Sequence, residues 1–476
     1  MKDLLYIDGM WTGSSLEKTA VTNPGSGETI GHIPKGGSAE ARQAVDAASS
    51  ALNEWKNKTA QERAGYLREV FRLMNERSEE IAEIMTKENG KTITDSRQET
   101  AYAASFLDWF ADEAKRVYGR TIPGKHSEHR IEVMKQPVGV VAAITPWNFP
   151  AAMITRKLAP ALAAGCTFII KPATATPFTA MKIIELCEEA GIPKGVVNLL
   201  TGSASDITKV FMNDSRVRKV SFTGSTEVGK KLIEQSAHQV KKLSLELGGH
   251  APLLVFNDAD LDTAVREALR AKFRNGGQSC IAANRLYVQS GVYAEFVERF
   301  SEAAGKMSAG NGFEEKHDIG AVIDQDGYDK VKLHVEDAEQ KGGTITAGGN
   351  GTDENGAFFY QPTVIKDASE DMLIMQEETF GPAAPIQKFE TFDEGIKLAN
   401  DTVYGLASYI FTDNVKTGTK AAEALDFGVV GWNEGVPSTA QAPFGGMKES
   451  GFGREGGAEG IEDFLEVKYV AKNIGG

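Results

Sequence analysis

Cysteine is scarce in this sequence: three residues in 476, with no CxxC pair. That excludes a disulfide framework and points to a reducing setting, read here as the cytoplasm. Histidine is scarce too, and none of the seven falls in an HExxH or HxxEH spacing, so no metal site is expected. Long apolar runs are missing. The longest uncharged stretch, Pro137 to Thr155, is broken by Pro146, Asn148 and Pro150 and followed at once by Arg156 and Lys157, which argues against a membrane span. The opening MKDLLYIDGMW carries acids early and lacks the apolar core of a signal peptide. Basic residues are in deficit, 52 Lys and Arg against 66 Asp and Glu, a net charge of −14. Such a balance speaks against a sequence-independent nucleic-acid binder. It leaves an anionic small substrate open, because local rather than net charge sets a pocket's field.

What is present is an ordinary globular balance, 41% hydrophobic and 25% charged, long enough to bury several cores. Helical periodicity starts near Ser38, read as an N-cap, and a longer helix is expected from Ala60 to about Glu88, with Asn89-Gly90 as its stop. From Val138 the rhythm changes. Short β-rich runs (Val138–Ile144, Thr167–Lys171, Val196–Leu200, Lys219–Thr223, Pro252–Phe256) alternate with helical stretches near Ala151–Ala164, Phe178–Ala190, Ser205–Asn213 and Thr226–Ala237. Runs of Val, Ile and Leu without alternation suit parallel strands buried on both faces, so a doubly wound α/β domain is expected, its ligands beyond the carboxyl ends of the strands. A second α/β stretch runs from about Leu261 to Asp426. Two segments, Arg130–Lys135 and Phe464–Val470, alternate polar and apolar residues and lie far from either core; an oligomer would supply the edge they need.

Four stretches carry candidate chemistry. Cys280 lies in KFRNGGQSCIAANR, where Gly276 and Gly277 let backbone approach a ligand and Arg274 is near in sequence. Cys166 and Cys187 read as packing residues. Glu246 ends an apolar run before Gly248-Gly249; such a glutamate is either a solvated surface group or, in a partly apolar pocket, a general base. FTGSTEVGKK, from Phe222 to Lys231, follows a strand and opens a helix, either a plain helix start or a phosphate cradle. It misses the GxGxxG fingerprint, and Lys231 stands where a P-loop needs a hydroxyl, so an NTPase is rejected. TPWNFPAAMITRK presents Trp147, Asn148 and Arg156 after a buried strand, either a turn or an oxyanion donor.

Together TPWNFP, IIKPA, FTGSTEVG, LELGG, GQSC, EETFGP and PFGGMKESGFGREG resemble the aldehyde dehydrogenase superfamily over essentially the full length. KFRNGGQSCIAANRLYV and MITRK are most similar to its succinate-semialdehyde branch. The resemblance implies that Cys280 is the nucleophile, that the Asn148 amide and Cys280 N–H form an oxyanion hole, and that Glu246 activates the hydrolytic water. It implies cofactor contacts at Trp147, Lys171, Gly224, Ser225, Glu378 and Phe380. Relatives that prefer NAD often carry a glutamate where this chain has Thr174, so NADP use is expected, with NAD as the alternative. Arg156, Arg274 and Ser438 match residues that hold the far carboxylate of the aldehyde; either arginine could instead pair with an internal acid. Ala282 stands where some members carry a second cysteine, which removes that local disulfide switch. Trp432 and Pro437 are expected near the substrate mouth.

The expected architecture is a Rossmann-like cofactor domain (1–119 and 138–249), a catalytic α/β domain (250–445) and a small β oligomerisation arm (120–137 and 460–476). The expected activity is NAD(P)-dependent oxidation of succinate semialdehyde, or a similar short ω-carboxy aldehyde, to the free acid by a soluble homodimer or homotetramer. The alternatives are a broad aliphatic or glutarate-semialdehyde dehydrogenase and, from another class, a nucleotide-binding protein without catalysis.

Overall fold

A computed structural model describes residues 2–475. Five strands, Val140–Ile144, Thr167–Lys171, Val197–Leu199, Val217–Thr223 and Lys242–Glu246, form the parallel centre of an eight-stranded sheet. Taken along the chain, their spatial order is third, second, first, fourth, fifth. The order therefore reverses between Val140–Ile144 and Val217–Thr223, and a crevice is expected beyond the carboxyl ends there.

Both faces of this sheet are covered, which is why its strands read as unbroken apolar runs. Val141, Ala143, Phe168 and Ile170 pack into one cluster with residues of the Ala152–Ala164 and Pro177–Glu189 helices. Val140, Ala142, Ile169 and Val220 face the other way, toward the Ser38–Asn57 and Ala204–Asn213 helices. Burying a Val, Leu or Ile side chain contributes roughly 1.5–3 kcal/mol, so exposing either face would be costly.

A seven-stranded sheet follows, parallel except for Thr344–Ala347 at one edge, with Ala251–Val255 and Ala283–Gln289 side by side near its middle. The strand expected at Pro252–Phe256 thus belongs to this second sheet, not to the first series. The chain crosses between the sheets within Leu247–His250, which sets the ends of both against one crevice.

The two alternating segments do not wait for an oligomer, as expected, but pair with each other: Leu465–Asn473 runs antiparallel to His129–Pro137, from Leu465 opposite Pro137 to Asn473 opposite His129. Arg120–Pro123 completes this three-stranded sheet, and Val467 and Tyr469 are exposed on it.

The helices differ from expectation in three places. Gly37, not Ser38, caps the first helix, its N–H donating to the Glu40 carboxylate at 2.8 Å. The long helix is two, Ala60–Glu76 and Ser78–Asn89, broken at Arg77. Ile93–Glu113, which no reading of the sequence above anticipated, packs on Ala60–Glu76 and on Ala152–Ala164. No helix among the described residues is long and apolar enough to cross a membrane.

Candidate active site

The parallel register brings Ile144 beside Lys171 and Phe222, and Thr223 beside Glu246. The segments that follow these strands therefore meet at one edge of the sheet. They wall a cavity of about 240 Å³ in which Trp147, Asn148, Gly224, Ser225, Cys280, Glu378 and Phe380 come together. All seven were singled out from the sequence.

Ser225 caps the Thr226–Ser236 helix by accepting the Val228 N–H at 3.4 Å. The helix N-terminus thus faces the cavity with the donors and positive partial charge that suit a phosphate group. Gly229 sets that helix close to the wall, since a Cβ there would meet Leu247 Cδ2 at 2.5 Å. Opposite, Trp147 and Phe380 meet edge to face with centroids 5.4 Å apart. Phe380 holds φ of 55°, left-handed backbone that a non-glycine residue adopts at a cost of order 1–3 kcal/mol and usually at a functional site. Glu378 accepts the Gly249 N–H at 3.0 Å, and burial pushes its carboxyl up to about 7. A helix terminus, two aromatic rings and a carboxylate around one crevice fit a dinucleotide. Lys171 and Thr174 stand off this wall. Lys171 is buried at its strand end, donating to Pro172 O at 3.2 Å, and burial lowers its pKa; Thr174 is exposed in the turn that follows.

Cys280 follows a turn in which Asn275, Gly276 and Gly277 all hold positive φ. At Gly277 a Cβ would meet Gly381 O at 2.3 Å, so no side chain fits. Burial pushes the Cys280 thiol up to about 12, while the Arg156 charge pulls it back. Asn148 is buried; its Nδ2 donates to Gln278 O at 3.2 Å and its Oδ1 accepts the Phe149 N–H at 3.1 Å. Glu246, at the end of Lys242–Glu246, has both carboxylate oxygens buried with no hydrogen-bond partner among the described residues. Burial first, then the Glu455 charge, holds its carboxyl far above the ordinary range, against the pull of Arg156 and Lys157.

On the far side of Asn148 and Phe149 lies a second cavity of about 180 Å³, lined by Tyr102, Phe149, Arg274 and Ser438 with Asp95 and Glu99. The Arg274 guanidinium stacks 4.8 Å from the Phe149 ring centroid and makes no ion pair among the described residues. A wider recess shares Asp95 and Arg274 and opens past Arg266 and Arg270. Arg156 is placed differently from Arg274 and Ser438. It is buried behind the wall, its Nε 2.7 Å from Glu455 Oε2 and its guanidinium 4.0 Å from the Phe444 ring, with Nη2 unpartnered among the described residues. Trp432 corrects another expectation: its indole donates to Thr412 O at 3.1 Å and packs on Gly418, and Val436 instead lines the cavity.

Sequence reasoning passed over several groups that organise this site. Asn275 Nδ2 and Lys91 Nζ both donate to Asn148 O, and Glu455 bonds Lys157, which reaches Thr223. The only trace of Lys91 was its place directly after Asn89-Gly90, read as a helix stop, and Glu99 lies in the Ile93–Glu113 helix that was not anticipated.

The aldehyde dehydrogenase family model matches residues 11–470. The chain is 50% identical over 470 residues to glutarate-semialdehyde dehydrogenase of Pseudomonas putida, covering 98% of this chain and 97% of that one. It is 50% identical over 465 residues to the NADP(+) succinate-semialdehyde dehydrogenase of Escherichia coli, covering 98% and 96%. The crystal structure of succinate-semialdehyde dehydrogenase from Burkholderia pseudomallei superposes with a TM-score of 0.98 at 46% identity, covering 99% of this chain and 98% of that one. With the family model matched over residues 11–470 and relatives 50% identical across 98% of its length, this chain belongs to the aldehyde dehydrogenase family.

Proposed function

We propose that the protein oxidises succinate semialdehyde, or a similar short ω-carboxy aldehyde, to the free acid with NADP or NAD. The observation that carries this reading is Arg274: a guanidinium that makes no ion pair among the described residues, on the wall of a cavity that also holds Ser438 and backs onto the Asn148 turn. A carboxylate is the natural complement of such a planar donor. Arg156 acts from behind through its charge and its unpartnered Nη2.

In this mechanism the Cys280 thiol gives its proton to solvent as its sulfur adds to the aldehyde carbon. The oxyanion that forms is held by Asn148 Nδ2 and the Cys280 N–H, donors of a kind whose single loss costs about 3–4 kcal/mol of barrier. When bound, the nicotinamide supplies an acceptor for the hydride that leaves as the carbonyl re-forms. Cys280 then carries a thioester. Glu246 takes a proton from water as water attacks, and the acid departs while the sulfur regains its electron pair. The helix start at Ser225 would hold the cofactor's phosphates, Glu378 a ribose, and Lys171 with the neutral Thr174 the adenosine ribose. A neutral side chain at 174 does not repel a 2′-phosphate, and the E. coli relative is named for NADP(+).

Glutarate semialdehyde stands as the second reading, because the P. putida relative named for it is equally identical. We further propose the domain division 1–119 with 138–249, 250–445, and 120–137 with 460–476, and a cytoplasmic homodimer or homotetramer built on the arm. Exposed Val467 and Tyr469 on the three-stranded sheet support the last point. Reduced-nicotinamide absorbance across succinate semialdehyde, glutarate semialdehyde and butanal, each with NADP and NAD, tests the reading. Turnover of butanal as efficient as of both carboxy aldehydes would overturn it.

A further inference from the structure

The turn bearing Asn148 is gripped from outside the cofactor sheet. Lys91 lies between the Ser78–Asn89 and Ile93–Glu113 helices, its side chain wholly buried. Its ammonium donates to Asn148 O at 2.6 Å and to Glu99 Oε2 at 2.7 Å, and sits 4.4 Å from the Phe149 ring centroid. With its other oxygen, Glu99 accepts the N–H groups of Ala151 and Ala152 at 2.9 and 3.1 Å. Those donors open the Ala152–Ala164 helix and have no intrahelical acceptor, so a carboxylate satisfies them and complements the helix terminus. Asn89 Nδ2 donates to Trp147 O at 2.9 Å. One short segment thus holds four backbone groups between Trp147 and Ala152.

The grip reaches the nucleophile. Asn148 O accepts a second bond, 2.9 Å from Asn275 Nδ2, and Asn275 belongs to the left-handed turn that leads to Cys280. That single oxygen anchors both the loop bearing the amide donor and the turn bearing the thiol. Lys91 supplies the charged bond, which is shorter and stronger than a neutral one. An apolar pair of equal volume would fill the same space, whereas a buried ion pair aimed at one turn specifies its orientation.

We propose that Lys91, supported by Glu99, is a positioning residue that keeps the Asn148 amide in register with the Cys280 backbone N–H. The inference rests on the reading of Asn148 as oxyanion donor. Lys91 itself does not line either cavity, so it acts through Asn148.

The test is a single-turnover burst of reduced cofactor in Lys91→Met, Asn148→Ala and the double variant, with folding checked by melting and cofactor affinity by fluorescence titration. Lys91→Met is expected to slow the burst roughly 10- to 100-fold, the scale of a misplaced catalytic group. Alkylation of Cys280 by iodoacetamide, which needs no oxyanion donor, should stay within about twofold, as a positioning role requires. In the Asn148→Ala background the Lys91 change should have little further effect. Glu99→Gln, which keeps an acceptor for the two amides, should move the burst in the same direction by a smaller factor and serves as the reading if Lys91→Met does not fold. The proposal is overturned if Lys91→Met or Glu99→Gln leaves the burst unchanged while Asn148→Ala slows it, or if the two effects multiply. An unchanged burst in Asn148→Ala overturns the oxyanion reading itself.

Discussion

Gly249 rests directly against the carbonyl oxygen of Cys280: a Cβ at residue 249 would stand 2.1 Å from that oxygen. The segment that leaves the first sheet and the turn that carries the thiol are thus in van der Waals contact through backbone alone. Neither side of such a contact can swing away as a flexible side chain would. Gly249→Ala is therefore expected to displace Cys280, lowering kcat about 100-fold and stability by about 1–3 kcal/mol. Steady-state kinetics and thermal melting read the two effects separately; parental values for both would contradict the contact.

Cys280→Ser is expected to melt like the parent and lose oxidation of every aldehyde by at least about 10³-fold. Glu246→Gln should behave differently, giving a burst of close to one reduced cofactor per site followed by slow turnover, because the thioester forms but water is not activated. In the parent, burial raises both the Glu246 carboxyl and the Cys280 thiol. Their basic forms grow as pH rises, so kcat should climb with pH through the alkaline range. A pH profile that falls over that range would contradict these roles.

Arg274→Ala removes the guanidinium from the wall of the cavity that also holds Ser438, proposed above to take the substrate's carboxylate. Loss of its partner should cost a bound carboxylate about 2–3 kcal/mol, or roughly 30- to 150-fold in kcat/KM for succinate semialdehyde. Butanal, with no carboxylate, should change by less than about threefold, an uncharged aldehyde having no partner to lose. Equal losses on both substrates would assign Arg274 a structural role.

Glu88 gives a stability prediction. It is fully buried, and its carboxyl oxygens accept the Phe178 and Thr179 N–H groups at 2.6 and 2.9 Å at the start of the Pro177–Glu189 helix. Burial pushes its carboxyl up from 4.5 to about 8. The folded state therefore holds a proton that the unfolded chain releases over this window, so this group's contribution to stability declines as pH rises from 4.5 toward 8. Glu88→Gln cannot ionise. Its melting temperature should fall by only a few degrees against the parent near pH 5, about 1 °C for each kcal/mol lost in a chain of this size, and the gap should close or reverse by pH 9. A gap that widens with pH would show the carboxylate to be the stabilising form.

Much of this site was readable before any coordinates. Cys280, Glu246 and Ser225 sit in local patterns, a glycine-flanked turn, a strand end and a helix start, whose geometry follows from a few neighbouring residues, whereas Glu378 came only from the family resemblance. The parallel sheet was readable because strands covered on both faces show no alternation, and Thr167–Lys171 took the bounds expected of it. Ile93–Glu113 was not anticipated. Its buried face includes Ser96, Glu99, Thr100 and Glu113, and these polar residues blur the apolar period that marks a helix. Arg156 shows the same limit in another form: its type suits a carboxylate clamp, yet whether it meets substrate or Glu455 depends on a residue almost 300 positions away.

Chain order and side-chain type by themselves determined the chemistry on offer: one thiol in a glycine turn, one carboxylate at a strand end, one amide after a strand, and arginines for an anion. Tertiary structure alone decided which of these groups are free to act. Among the described residues Arg274 is left without an ion pair while Arg156 is engaged, Lys91 reaches Asn148 across 57 positions, and Leu465–Asn473 finds its partner within its own chain. The reason is physical. Local geometry follows from backbone torsion and neighbouring side chains, whereas pairing and burial are set by which distant surfaces the packed core brings together.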